Sequence, residues 1–176
     1  MIATTESRIY VACLSAYNNG YLHGAWIDAC QEPEEIRSAI SEMLARSPMG
    51  DAEEWAIHDY EGFGKFRLTE SHDIERVSEC ALAIEEHGFI IADLMDHLGG
   101  TLDDAIEYMD NNYQGEFDDL ESYADQFLED TGELNQIPKH LRYYFDLKAY
   151  ARDLELNGDV FTIDSKNGNV HVFYNQ

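Results

Sequence analysis

Lysine and arginine are missing from residues 77–138, a run of 62 positions that holds 17 aspartates and glutamates. The whole chain has 36 acids and 11 bases over 176 residues, a formal net charge of −25. The 114 residues outside the run therefore carry a net of only −8. Self-repulsion of this size opposes a compact fold and calls for a reason. Adaptation to high salt would spread acids over the whole surface. Two thirds of the net charge on about a third of the chain points instead to a localised negative face. Other features are scarce as well. No run of about 18 apolar residues exists, so no membrane span is expected. The start, MIATTESRIY, lacks a basic n-region ahead of an apolar h-region, so no secretory signal is expected. Cysteines number three, Cys13, Cys30 and Cys80, without CxxC spacing. They read most simply as reduced, partly buried thiols of a cytoplasmic protein.

Catalytic motifs are absent too. The seven histidines (23, 58, 72, 87, 97, 140 and 171) show no HExxH or H-x3-H pairing. His87 and His97, near Asp93 and Asp96, read as solvated side chains of an acidic helical face before they read as a metal cluster. His58 and Asp59 are adjacent, and neighbours on a strand point to opposite faces. No GxSxG, P-loop or GxGxxG occurs, and Gly62-Phe63-Gly64 alone is a weak signal. Tyrosine (11), phenylalanine (8) and tryptophan (2) are plentiful. Without a basic groove they make no stacking platform for nucleic acid, and they read as core. No enzyme is expected, and no direct binding of nucleic acid.

What is present is a chain able to fold: 44% of its residues are hydrophobic, enough for a core and unlike a disordered acidic tail. Three parts are expected. In the first, residues 8–16 read as a strand, Asn19-Gly20 as a hairpin turn and 21–29 as the return strand. Pro33, with Glu34 and Glu35, opens a helix carrying Ile36, Ile40, Met43 and Leu44 at helical spacing. Residues 47–50 stop it, and 54–60 form a third strand. The second part is helical. Ser71 caps a helix to His87 that turns Ile74, Val77, Cys80, Ala81 and Ile84 inward and ends at Gly88. A shorter helix spans 89–98, and Thr101 caps another over 102–109. In the third part, helices are expected over 119–129 and, as one long element, over 138–156. A hairpin of 159–164 and 169–174 closes the chain. The fold class is α+β.

The acids fall on these elements in rows. Glu75, Glu79 and Glu86 share one face of the first central helix. Asp93 and Asp96 lie on the second, and Asp103, Asp104 and Glu107 on the third. Asp118, Glu121, Asp125, Glu129 and Asp130 sit near one face of the helix that follows, with Glu133 just beyond it. Duplex DNA carries a charge about every 1.7 Å of axis, or about 3.4 Å per strand. A helix repeats a face about every 5.4 Å, so such rows present negative points at broadly comparable density. Taken singly, each helix is a solvated face. Over 62 residues without one cation, that reading fails.

Five segments then resemble a known family: YVACLSAYNNGYLHGAWIDA (10–29), EEWAIHDYEGF (53–63), YADQFLEDTGE (123–133), IPKHLRYYFDLKAYARDLELNGDVF (137–161) and VHVFY (170–174). In this order they are similar to the ArdA antirestriction proteins, over nearly the whole chain. EEWAIHDYE and YYFDLKAYARDLE are the most specific. The resemblance implies an elongated, curved homodimer of three small domains, here 1–64 (α+β), 65–107 (helical) and 108–176 (α+β with a three-stranded sheet). It implies no catalysis and no cofactor. The implied role, in a bacterial cytoplasm, is to protect incoming plasmid or transposon DNA. The protein would mimic bent B-form DNA and occupy the DNA-binding groove of the methyltransferase/specificity core of Type I restriction–modification enzymes.

One stretch offers a rival. Residues 110–121, DNNYQGEFDDLE, place Asp110, Asn112, Gly115, Asp118 and Glu121 at positions 1, 3, 6, 9 and 12 of a calcium-binding EF-hand loop, with Gln114 departing at position 5. A calcium-responsive module would rest on this loop alone, since no second one exists. An acidic adaptor for some other basic partner is the further alternative. The reading preferred here is a short strand, because Tyr113, Gly115 and Phe117 alternate with both aromatics inward, paired with the C-terminal hairpin. Asp110, Glu116, Asp118, Asp119 and Glu121 then point outward and no metal is held.

Overall fold

The computed structural model describes residues 6–50, 52–68 and 73–175. The chain separates into two compact units, Met1–Leu102 and Asp103–Gln176. Each has its own antiparallel three-stranded sheet, and the class is α+β as expected.

In the first unit, β1 (Arg8–Cys13) lies between β2 (Gly24–Asp28) and β3 (Trp55–Glu61). Alternation along β1 buries Ile9, Val11 and Cys13 on one face. Helix α2 (Pro33–Ala45) starts at its proline and packs by burying Ile36, Ile40 and Met43. The expected strand over 8–16 is too long. After Cys13 the chain turns into a short helix, α1 (Leu14–Asn18). Cys13 N donates to His23 O and Leu14 N to Glu54 O, both at 2.9 Å, which are the last hydrogen bonds the neighbouring strands offer. The following amides close on the helical turn instead. Asn19-Gly20 therefore ends α1, with Asn19 N on Ala16 O and Gly20 N on Tyr17 O, and makes no two-residue hairpin. The return strand begins only at Gly24. Glycine is required there, because a Cβ would stand 2.5 Å from Val11 O and 2.7 Å from Tyr10 Oη.

Helices α3 (Ile74–His87) and α4 (Ile90–Leu98) complete this unit. The proposed cap Ser71 lies outside the described residues; Asp73 caps α3, accepting from Glu75 N at 3.4 Å. The buried side chains of α3 include all five expected ones, and Gly88 ends it at φ +79°. Ser78 Oγ donates to Gln31 O at 2.7 Å and ties α3 to the loop before α2.

In the second unit, α5 (Leu102–Asn112) runs a turn further than expected, straight into β4 (Tyr113–Phe117). Buried Asn112 and half-buried Tyr108 both donate to Tyr174 O, at 3.2 and 2.8 Å, and so hold that last turn against the sheet. Strand order is β4-β6-β5, with β5 (Val160–Asp164) and β6 (Val170–Tyr174) forming the expected hairpin. The alternation within β4 is broken. Tyr113 pairs with Phe173 but Gly115 with Val172, a bulge. Phe117 consequently joins Tyr123, Val160 and Val172 on the face covered by α6 (Leu120–Thr131). Tyr113 goes to the other face, with Phe173 at 5.1 Å and His171, whose Nδ1 lies 2.9 Å from its hydroxyl. The two aromatics thus serve opposite faces.

The long helix expected over 138–156 is also broken. Short 3-10 turns cover Glu133–Gln136 and Arg142–Tyr144, and α7 spans only Leu147–Leu156. Asp146 starts it, accepting from Ala149 N at 2.9 Å. A side chain that satisfies a first-turn amide favours a helix start over a helix interior. We predict that Asp146→Ala lowers denaturant stability by about 1 kcal/mol. An unchanged unfolding midpoint would mean that Asp146 caps nothing.

A candidate partner-binding face of carboxylates

Amphipathic periodicity aims the acids outward. On α3 the residues between the buried Val77, Ser78, Cys80 and Ala81 leave Glu75, Glu79 and Glu86 on the solvent side. Glu75 is nevertheless not free. The Arg37 guanidinium of α2 pairs with it and holds its carboxyl down at about 2. Glu79 meets Arg76 at 3.4 Å, and Glu86 lies 3.8 Å from His87 Nε2. On α4, Asp93 is half-buried and takes Lys65 Nζ at 2.7 Å, which raises the lysine's pKa. Asp96 is exposed.

Asp103, Asp104, Glu107 and Asp110 stand exposed along α5, and Asp118 in the turn before α6. Glu116 on β4 accepts from Asn167 Nδ2 at 2.8 Å, which lowers its pKa and fastens the β5–β6 turn. Asp119 caps α6, accepting from Ser122 N and Oγ at 2.8 Å each, and is likewise lowered. Both stay ionised while holding the backbone. Along α6 the buried Tyr123, Ala124 and Leu128 face the sheet, while Asp125, Glu129 and Asp130 are exposed. Glu121, half-buried, begins the same stripe, with Lys148 Nζ at 3.9 Å. Glu133 follows, exposed, at the next 3-10 turn. Glu121, Asp125 and Glu129 are spaced four residues apart, about 6 Å per step.

Reading along the sequence missed the cations that fold back. Arg37, Lys65 and Lys148 lie outside the base-free run yet reach acids in or beside it. Sequence separations of 27 to 38 residues leave no local pattern for this. Also missed were Tyr143 and Tyr144, placed inside a helix by periodicity but 90% and 79% exposed.

The 110–121 stretch is divided among the last turn of α5, β4 and the start of α6. The Asn112 side chain is turned to Tyr174 O, Glu116 to Asn167 and Asp119 to Ser122. Among the described residues no three His, Cys, Asp or Glu side chains gather to hold a metal ion. No helix among them is long and apolar enough to cross a membrane.

Glu75 supplies a pH test. Its pKa is depressed in the fold, so the pair's stabilisation is complete above the ordinary glutamate value, about 4.3, and is lost as pH falls through about 2. Carbon NMR should find Glu75 titrating near that low value in the native chain and higher in Arg37→Gln. A normal midpoint in the unsubstituted protein would remove the ion pair from this account.

In a comparison with known families, residues 9–167 match the family described as antirestriction protein (ArdA). No curated protein matches the chain.

Proposed function

The chain belongs to the ArdA antirestriction family, and from that membership we propose that it inhibits Type I restriction–modification enzymes by DNA mimicry. Antirestriction is the family's function; the mechanism and the partner are our reading. The observation that carries it is the α6 stripe: Glu121, Asp125 and Glu129 on the solvent side of a helix whose other side is buried. A groove that binds DNA presents Lys and Arg at phosphate spacing. Carboxylates on a rigid helix offer those cations the same sign of charge at similar intervals. They lack the scissile bond and the target base, so the enzyme is occupied without turnover. Asp118, Asp130 and Glu133 at the ends of α6, the α5 acids Asp103, Asp104, Glu107 and Asp110, and the exposed acids of α3 and α4 extend the charge. Glu116 and Asp119 add to it, kept ionised by their hydrogen bonds. Glu75, Glu79, Asp93 and Glu121, with cations beside them, contribute less.

The same proposal includes a homodimer in the bacterial cytoplasm and a three-domain division at 1–64, 65–107 and 108–176. Exposed Tyr143 and Tyr144, edge-to-face at 5.6 Å, are the residue type that anchors protein interfaces.

The decisive experiment is cleavage and methylation of unmodified DNA by a Type I enzyme, with and without this protein. Inhibition should be competitive with DNA. Raising salt from about 0.05 to 0.2 M should weaken it at least about tenfold. Affinity indifferent to salt would sink the mimicry account. Asp125→Asn or Glu129→Gln alone should change inhibition by less than about threefold, whereas Asp118, Asp125, Glu129 and Asp130 neutralised together should change it much more, since together they remove the local field that meets the partner's cations. Loss of all inhibition from a single such change in a folded protein would point to a discrete active site.

A further inference from the structure

The first unit's sheet ends on one side in β2, and its hydrogen bonds identify which groups that edge leaves open. Ala29 N donates to Ser7 O and Cys13 N to His23 O. With the register of Ile9 opposite Ile27 and Val11 opposite Ala25, the odd-numbered residues of β2 turn their backbone toward β1. In an antiparallel ladder the residues between them turn theirs away. The Asp28 carbonyl is taken by Gln31 Nε2 at 2.7 Å. Gly24 and Trp26 turn their backbone outward, and among the described residues no strand lies beside them.

Two of the other edges, β3 and β4, differ, whereas β5 is regular along β6 and, like β2, carries its one charge, Asp164, at its end. On β3, Tyr10 pairs with Asp59 but Val11 with Ile57, so a bulge falls at His58, beside two acids, Asp59 and Glu61. The edge strand β4 has its own bulge. Bulges and charges are how sheets discourage further pairing. The register of β2 is unbroken from Asp28 to Gly24, and its one charge is at the end.

Beside this edge runs a groove of about 340 Å³, walled by β2, by Ala39, Glu42 and Met43 of α2, and by Arg46 just after it. The chain reverses between β2 and α2, so the two walls run antiparallel. Strand and helix with a free edge between them form the kind of slot that receives an extended chain. Leu22, 93% exposed just before β2, and Trp26, 43% exposed on it, add apolar surface.

We propose that the β2 edge and this groove are a strand-addition site for an extended, Lys/Arg-bearing segment of a partner protein. Charge selects the occupant. Asp28 and Glu42 line the groove, and its one arginine, Arg46, already stands 3.4 Å from Glu42. A net charge of −25 repels an acidic segment. The site stands on the sheet edge and does not depend on the antirestriction reading.

The test is amide NMR on the full chain, with a capped peptide of about eight residues alternating valine and lysine, and its glutamate counterpart. The lysine peptide should shift and protect the Gly24 and Trp26 amides; the glutamate peptide should not. Trp26→Pro removes an outward N–H, a change edge strands tolerate. Ala39→Arg fills the groove from the helix and leaves the strand intact. Each should weaken the effect about tenfold or more, and Ala39→Arg should keep the unsubstituted unfolding midpoint. Three results would overturn the proposal: lysine-peptide shifts confined to residues 77–138, equal shifts from both peptides, or protection of Gly24 and Trp26 that rises with protein concentration as the mass doubles.

Discussion

Repulsion among carboxylates is the constraint around which this chain is built. Two unit charges about 6 Å apart in water repel by roughly 0.7 kcal/mol, and salt at physiological strength weakens that over about 8 Å. Burying one Val, Leu or Phe side chain gives back roughly 1.5–3 kcal/mol. A helix therefore tolerates an unbroken acidic face when its other face is buried. Helix α6 meets that condition with Tyr123, Ala124 and Leu128 inside and Phe127 packed on the same cluster. Helix α3 meets it with seven buried residues. Where the acids crowd most, the sheet behind them is aromatic: Phe161 and Phe173 stack at 5.1 Å, with Tyr108 and Tyr113 against them.

The few cations are placed at the margins of the acidic run. Exposed pairs such as Arg37–Glu75 or Lys148–Glu121 are screened by solvent and too weak to set the fold. Their effect is local: they stand beside Glu75, Asp93 and Glu121, while Asp125, Glu129 and Asp130 on the outer side of α6 stay exposed. Two other acids do structural work without losing charge. Asp119 starts α6 and Glu116 fastens the β5–β6 turn, and hydrogen bonding to the charged form lowers both pKa values. Charge and architecture are served by the same atoms.

Sheet edges carry a second constraint. The β4 bulge sends Phe117 toward α6 and Tyr113 toward Phe173, so one short strand supplies a ring to each face of its sheet. The bulge on β3 breaks an edge that would otherwise be open. Regular edges persist at β5 and at β2, and beside β2 runs the groove that α2 walls.

The sequence by itself determined the elements whose signals are local: the amphipathic faces of α2, α3 and α6, the glycine that ends α3, the C-terminal hairpin and the third strand made by 113–117. It also determined the base-free acidic run and, through segments such as EEWAIHDYE, the family. Tertiary structure decided what depends on distant partners. Residues 14–18 turn into a helix once Cys13 N and Leu14 N have taken His23 O and Glu54 O, and the amides that follow close on the helical turn. Residues 138–146 leave the helix because Asp146 satisfies an amide three residues on, and periodicity cannot weigh that cap against a continuous helix. Arg37, Lys65 and Lys148 reach their acids only once the chain has folded. Tyr113 and Phe117 part company because one extra residue in β4 inverts the face, an effect of pairing with β6 that no single strand reveals.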